Sequence, residues 1–149
     1  MQSPITQLEQ IVLTTRSKTF LREISKWAFF FSIIGFIGIA FLLIGAILIG
    51  TVYAPMLNMI AQQQGAPSIS MGIMITYLVM GLLYFMPVFY LFKFSRKMKL
   101  ALANKNDEIL ADALESLKSH YKFIGVLTII MISLYVLLIG FSLVAGSLV

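Results

Sequence analysis

Cysteine is absent from this chain and histidine occurs once. No disulfide and no thiolate metal site can form. Acid is scarce too, with six Asp and Glu against eleven Lys and Arg. Charge of either sign makes up 11% of the residues, where an ordinary soluble domain carries about 25%. The placement of those charges says more than their number. All of them lie in two blocks, Met1–Lys26 and Lys93–Lys122, while Trp27–Phe92 and Phe123–Val149 contain none. One charged side chain at the centre of a bilayer costs about 2.5–3.5 kcal/mol on insertion scales, so spanning helices exclude charge. The segregation is that of an integral membrane protein.

The charge-free stretches hold three spans of about 20 or more apolar residues. They are Trp27–Tyr53, Met71–Phe92 and Phe123–Val149, joined by a loop, Ala54–Ser70, and a charged hairpin, Lys93–Lys122. The fold class is all-α, and the segments use up the chain as a single membrane domain over residues 1–149. The start, Met1–Lys26, is too long and polar for the n-region of a signal peptide, and the apolar run behind it too long for an h-region. That run is expected to stay as an anchor. Lys and Arg are missing from Ala54–Ser70 and from the last span. The positive-inside rule then places the N-terminus and the hairpin in the cytoplasm and the C-terminus outside. The pI near 9.6 follows from this topology and does not call for nucleic acid.

At the N-terminus, Ser3-Pro4 reads as a helix cap followed by proline at the first helical position, with Ile5, Leu8 and Val12 at helical spacing. Ser17 or Thr19 caps a second helix that runs into span one. Arg22, Lys26 and Trp27 sit where headgroup contacts form, and Lys93, Arg96, Lys97 and Lys122 occupy the corresponding places at the other spans. Within span one, Gly35, Gly38, Leu42 and Gly45 recur at three and four residues, and Ala46 with Gly50 makes a small-xxx-small pair. Such residues let helix backbones approach closely in lipid. The seam serves packing within the chain or contact between subunits. Ser142 and Gly146 repeat the pattern in span three.

Pro55, Gly65 and Pro67 are expected to keep the external loop free of helix. Met56, Met59, Met71 and Met74 flank it. Thioethers bind Cu(I), but no His or Cys accompanies them, so packing is the expected role and no metal or cofactor is implied. Pro87 removes an amide hydrogen from span two and leaves the Leu83 carbonyl without its helical partner. Tyr77 and Tyr84, seven apart, share a face and need hydrogen-bond partners, with Ser32 and Ser133 as candidates. In the hairpin, Asn104 or Asn106 caps a helix that starts with Asp107 and Glu108 and ends with Lys118 and Lys122, complementing the helix dipole. Leu110, Leu114, Leu117 and Tyr121 form its apolar stripe, expected to pack on Phe94, Met98 and Leu102 or to receive a partner.

Chemistry is hard to place. The spans contain no His, Asp, Glu or Lys, which argues against a pump, a proton relay or a membrane enzyme. His120 reads as a surface histidine. No phosphate-binding loop is present, and the halves of the chain do not mirror each other as in inverted-repeat transporters.

The run Phe92-Lys93-Phe94-Ser95-Arg96-Lys97-Met98-Lys99-Leu100-Ala101-Leu102, with Ala113-Leu114-Glu115-Ser116-Leu117-Lys118-Ser119-His120-Tyr121-Lys122-Phe123-Ile124-Gly125, resembles a family of small inner-membrane proteins of Bacteroidota. The entry Ser25-Lys26-Trp27 is similar as well. The resemblance implies the same three-span topology but carries no activity and no site residues. The expectation is a non-catalytic accessory or scaffolding subunit of a bacterial inner-membrane complex, partnered by the bilayer and by a membrane protein or a second copy. A homo-oligomeric channel or transporter lined by Ser32, Thr76, Tyr77, Tyr84 and Ser133 is the alternative.

Overall fold

The computed structural model describes residues 13–147, with side chains to residue 143. The readings at Ser3–Val12, at Gly146 and at the end of span three lie outside the described residues or side chains. Four helices follow one another: α1 (Thr15–Thr51), α2 (Ala54–Gln63), α3 (Ser70–Asn104) and α4 (Asp107–Ser147). Three of them, α1, α3 and α4, are long and apolar enough to cross a membrane.

These three helices also outreach a bilayer. The 37 residues of α1 extend about 55 Å at 1.5 Å per residue, against a hydrocarbon core of about 30 Å. The surplus in each is its charged part. Both arms of the hairpin are continuations of spans, since α3 and α4 run unbroken from their apolar parts into it and turn only at Lys105 and Asn106. Lys105 adopts the left-handed conformation (φ 53°, ψ 42°) that closes α3. Asn106 caps α4 through its Oδ1, which accepts from the Ile109 amide at 3.0 Å.

Two boundaries differ from expectation. Thr14, not Ser17 or Thr19, caps α1, and its Oγ1 accepts from the Ser17 amide at 3.1 Å. The helix starts earlier because Ser17 is already its third residue, where amides still lack carbonyl partners. The loop after span one contains α2, whose Pro55 stands in the first turn, where a missing N–H costs nothing. Gly65, at φ +70°, follows that helix in a conformation glycine adopts without strain. Asn58 of α2 then accepts from the Ser70 amide at 3.1 Å, which satisfies one of the open donors at the start of α3.

The helices pack as α1 on α3 and α3 on α4, with α3 in the middle; among the described residues no Cα atoms of α1 and α4 approach within 8 Å. The antiparallel pairing of α1 and α3 sets Gly50 against Met74, Gly45 against Tyr77 and Gly35 against Val88. Farther down, Phe29 lies against Phe92. The described part of the first charged block and the second block consequently lie at the same end of the molecule.

Candidate functional site

Ser25, Ala28, Ser32, Gly35, Ile39, Leu42 and Ala46 run along the buried and half-buried side of α1, flanked by the half-buried Phe29, Phe36, Gly45 and Gly50. The spacing alternates three and four, a heptad seam, and small residues dominate it. Gly81 and Ser95, both buried, and the half-buried Val88 answer it from α3 at intervals of seven. Buried serines would be costly in lipid if unbonded, yet the four along the contacts between the long helices each bond their own helix. Ser25 Oγ donates to the Arg22 carbonyl (2.9 Å), Ser32 to Phe29 (2.7 Å), Ser95 to Phe92 (2.8 Å) and Ser116 to Asp112 (3.0 Å). With their hydroxyls satisfied locally, they act as small residues that bring the backbones together. Phe29, Phe36, Phe85 and Phe92 interleave beside the seam, with ring centroids 5.8–6.1 Å apart.

The glycines of span one do not share one face. A Cβ on Gly35 would lie 2.6 Å from Val88 Cγ2, one on Gly45 3.5 Å from the Tyr77 ring, and one on Gly50 would collide with Met74. A Cβ on Gly38 would meet nothing within 4 Å. Gly38 is one residue short of the buried Ile39, about 100° round the helix, and points away from α3. The seam follows serine and alanine as well as glycine, and counting those residues as small reveals it in the sequence.

At the charged end, Phe94 and Met98 of α3, Ala113 of α4 and Ala28 of α1 form a buried cluster, with Leu21, Leu91, Leu102, Leu110 and Leu117 packed around it. The stripe on α4 is rotated from the expected one. Ala113 and Ser116 face inward, whereas Leu114 is 45% exposed and Tyr121 66%. The close approach of α4 to Phe94 and Met98 leaves room only for small side chains, so the larger leucines flank the contact.

Lys97 reaches across the hairpin to Asp112, Nζ to Oδ2 2.6 Å. It is therefore engaged within the protein and not free for headgroups as expected. The Lys97 hydrogen bond and charge, aided by the more distant Lys93, hold the Asp112 carboxyl below its ordinary value of 3.8. A depressed carboxylate stabilises the fold fully above that ordinary value and loses its contribution as pH falls through the lower folded value. Asp112→Asn should therefore cost little at neutral pH, less still in high salt, and nothing in strong acid. Thermal melts across pH check this; a deficit unchanged down to the acid limit would exclude the ion pair as its source.

His120 is not a surface residue. It is half-buried against α3, and its Nδ1 lies 2.7 Å from the carbonyl oxygen of the buried Pro87. Since a carbonyl only accepts, Nδ1 carries the proton, in the neutral ring and in the imidazolium alike. The contact ties α4 to α3 where proline interrupts the helical hydrogen bonding. Beyond this tie α4 leaves its neighbour, and every described α4 side chain past Leu127 is exposed.

The remaining candidates disperse. Ser32 is sealed in the α1–α3 seam, Thr76 Oγ1 donates to its own helix at Gly72 (2.9 Å), Tyr77 lies by Gly45, and Tyr84 and Ser133 are exposed, Ser133 on the free part of α4. Ser32 thus serves its own helix and not the tyrosines. Met56, Met59 and Met71 are exposed, and only Met74 packs, under Gly50. Arg22, Lys26, Trp27, Lys93, Arg96 and Lys122 are exposed at the charged end, with the Arg96 guanidinium 5.8 Å from the Phe92 ring centroid. Among the described residues no group of three or more His, Asp or Glu side chains comes together to hold a metal.

The model of a family of unknown function, DUF5362, matches residues 56–143. That interval takes in most of α2, all of α3 and the described side chains of α4, and leaves out α1. No curated protein and no solved structure matches the chain.

Proposed function

The chain belongs to DUF5362, a family of unknown function, and we propose that it is a non-catalytic accessory or scaffolding subunit of a bacterial inner-membrane complex. The observation that carries this reading is the state of α4. The helix is anchored by the Phe94–Met98–Ala113 cluster, the Lys97–Asp112 pair and the His120–Pro87 contact, while the side chains of its apolar half, from Thr128 to Leu143, are all exposed and pack on no other helix among the described residues. Association between helices in lipid depends on close packing and interhelical hydrogen bonds, not on a hydrophobic drive. A span held rigidly at its base and left bare above is suited to a neighbouring membrane helix.

The spans carry no His, Asp, Glu, Lys or Arg for acid–base work, which supports a non-catalytic role. Positive charge confined to one end supports an orientation with the hairpin and N-terminus in the cytoplasm. The resemblance of the hairpin and of the entry into span one to Bacteroidota proteins supports the inner membrane of such a bacterium.

The test is purification of tagged protein from its native membrane in mild detergent, followed by mass spectrometry and light-scattering mass. Stoichiometric foreign subunits are expected, and charge-preserving substitutions on the bare face of α4 (Ile132→Trp, Val136→Trp) should release them. A monodisperse homo-oligomer would overturn the accessory reading in favour of a channel built from copies of the chain. A monomer with no partner would overturn both.

A further inference from the structure

We propose that Arg22, Lys26 and Lys99 form a binding site for the phosphate of an anionic lipid headgroup. Arg22 and Lys26 stand one turn apart on α1, and the antiparallel register brings Lys99 of α3 to the same level. The three line a cavity of about 270 Å³ with Leu102 and Ala103, and among the described residues no carboxylate lines it. Lys99 Nζ lies 4.6 Å from the centroid of the Phe29 ring, whose face favours a cation there. Three like charges in one recess repel one another until an anion enters. The opposing fields are weaker. The C-terminal dipole of α3, close to Ala103, amounts to about half a negative charge. Glu23 lies in the adjoining groove and not in the cavity. The only ion pair among the described residues is Lys97–Asp112, so it does not draw on these three cations.

The surroundings select a lipid over a free anion. A second groove of about 620 Å³ shares Arg22 and Lys26 with the cavity and continues past Thr19 and Glu23 to Trp27 and Phe30. Trp27, Phe30 and Phe31 are each more than half exposed, an aromatic belt of the kind that sits at headgroup level. A phosphate in the cavity places its acyl chains along this aromatic groove. Basic recesses between spanning helices hold phosphorylated headgroups on this physical basis. The site stands on α1 and α3 alone and does not depend on the subunit reading.

The experiment is thermal melting of the full chain in a neutral maltoside detergent doped with phosphatidic acid, phosphatidylcholine or inorganic phosphate. Phosphatidic acid should raise the melting temperature saturably, as expected for a ligand of the folded state; phosphatidylcholine and inorganic phosphate at equal concentration should not. Lys99→Gln should weaken half-saturation by about fivefold or more, the worth of one basic group near a charged surface. The pair Arg22→Gln, Lys26→Gln should weaken it further, and Lys99→Arg should restore it. Lys118→Gln and Lys105→Gln, exposed cations outside the cavity, should leave it unchanged. A response to phosphatidylcholine as large as to phosphatidic acid, no saturable response, or equal weakening by Lys118→Gln would overturn the site. Equal saturation by inorganic phosphate would overturn the lipid as its ligand. The melting temperatures of the variants without lipid separate a binding loss from a folding loss.

Discussion

Phe94→Ala should destabilise the protein by about 3–5 kcal/mol, the range for truncating a buried aromatic side chain. Phe94 is 1% exposed and Met98 is fully buried beside it, with Ala28 and Ala113 closing the cluster from the two flanking helices. This is the part of the molecule where the hydrophobic effect operates in its ordinary form. It lies in the charged block, where the alternative to burial is water, whereas the spans exchange one apolar contact for another. The cluster is also where all three long helices meet, so its loss loosens α4 from α3 as well as lowering the melting temperature. Limited proteolysis should cut the variant near Lys105 far faster than the parent. Leu114→Ala is the contrast, since Leu114 is 45% exposed and surface truncations change stability by about 0.5 kcal/mol or less. Equal effects of the two substitutions would mean that the cluster does not hold the hairpin together.

Gly35→Leu should cost about 3 kcal/mol, the upper part of the usual range for overfilling a packed contact. The Cβ alone would sit 2.6 and 2.9 Å from the two methyls of Val88. Valine has a single side-chain torsion and is confined to one rotamer in a helix, so it cannot swing aside, and the helices must separate. Better helix propensity returns at most about 1 kcal/mol. Gly38→Leu gains that propensity without a clash, because nothing lies within 4 Å of its Cβ position, and should leave the melting temperature level or raise it. Val88→Ala removes both methyls and should recover much of the Gly35→Leu loss, a coupling that a double-mutant cycle in detergent reads directly. Additive losses would place the strain elsewhere. Should Gly38→Leu change the mass of the native complex while leaving the melt unaffected, Gly38 would mark a contact with a partner.

The difference between these two glycines shows where sequence reasoning stopped. Both satisfy a small-residue pattern at helical spacing, and a residue three away from Gly35 is near enough on a helical wheel to be counted on its face. Which side α3 takes was undetermined, because span one is apolar all round and has no polar face to orient it. Ser25 and Ser32 complete the seam, but serine in an apolar helix suggests a hydrogen bond to a neighbour. Here each hydroxyl turns back on its own helix, at 2.9 and 2.7 Å. The hairpin stripe was similarly visible, with its phase displaced, since leucine marks an apolar face while the closest contact is made by Ala113. His120 was least legible of all. Its partner, Pro87, is 33 residues away and contributes a backbone carbonyl, a group that every residue carries and no pattern distinguishes.

By itself the sequence determined that this is a membrane protein of three long helices with its charge gathered beside the bilayer. The physical reason is that the cost of burying a charge in hydrocarbon exceeds any packing preference, so the distribution of seventeen charged residues dictates where the chain crosses. Caps at Asn106 and the acidic start of α4 are local effects, and local effects are written in adjacent residues. Only the tertiary structure decided which helices touch. It placed α3 at the centre, separated α1 from α4, left the upper part of α4 uncovered by any other described residue, and brought Lys99 to Arg22 and Lys26. Lipid tails are as apolar as leucine, so between spans no transfer free energy selects one face over another. The choice falls to the fit of small residues against their opposites, which requires knowing the opposite helix.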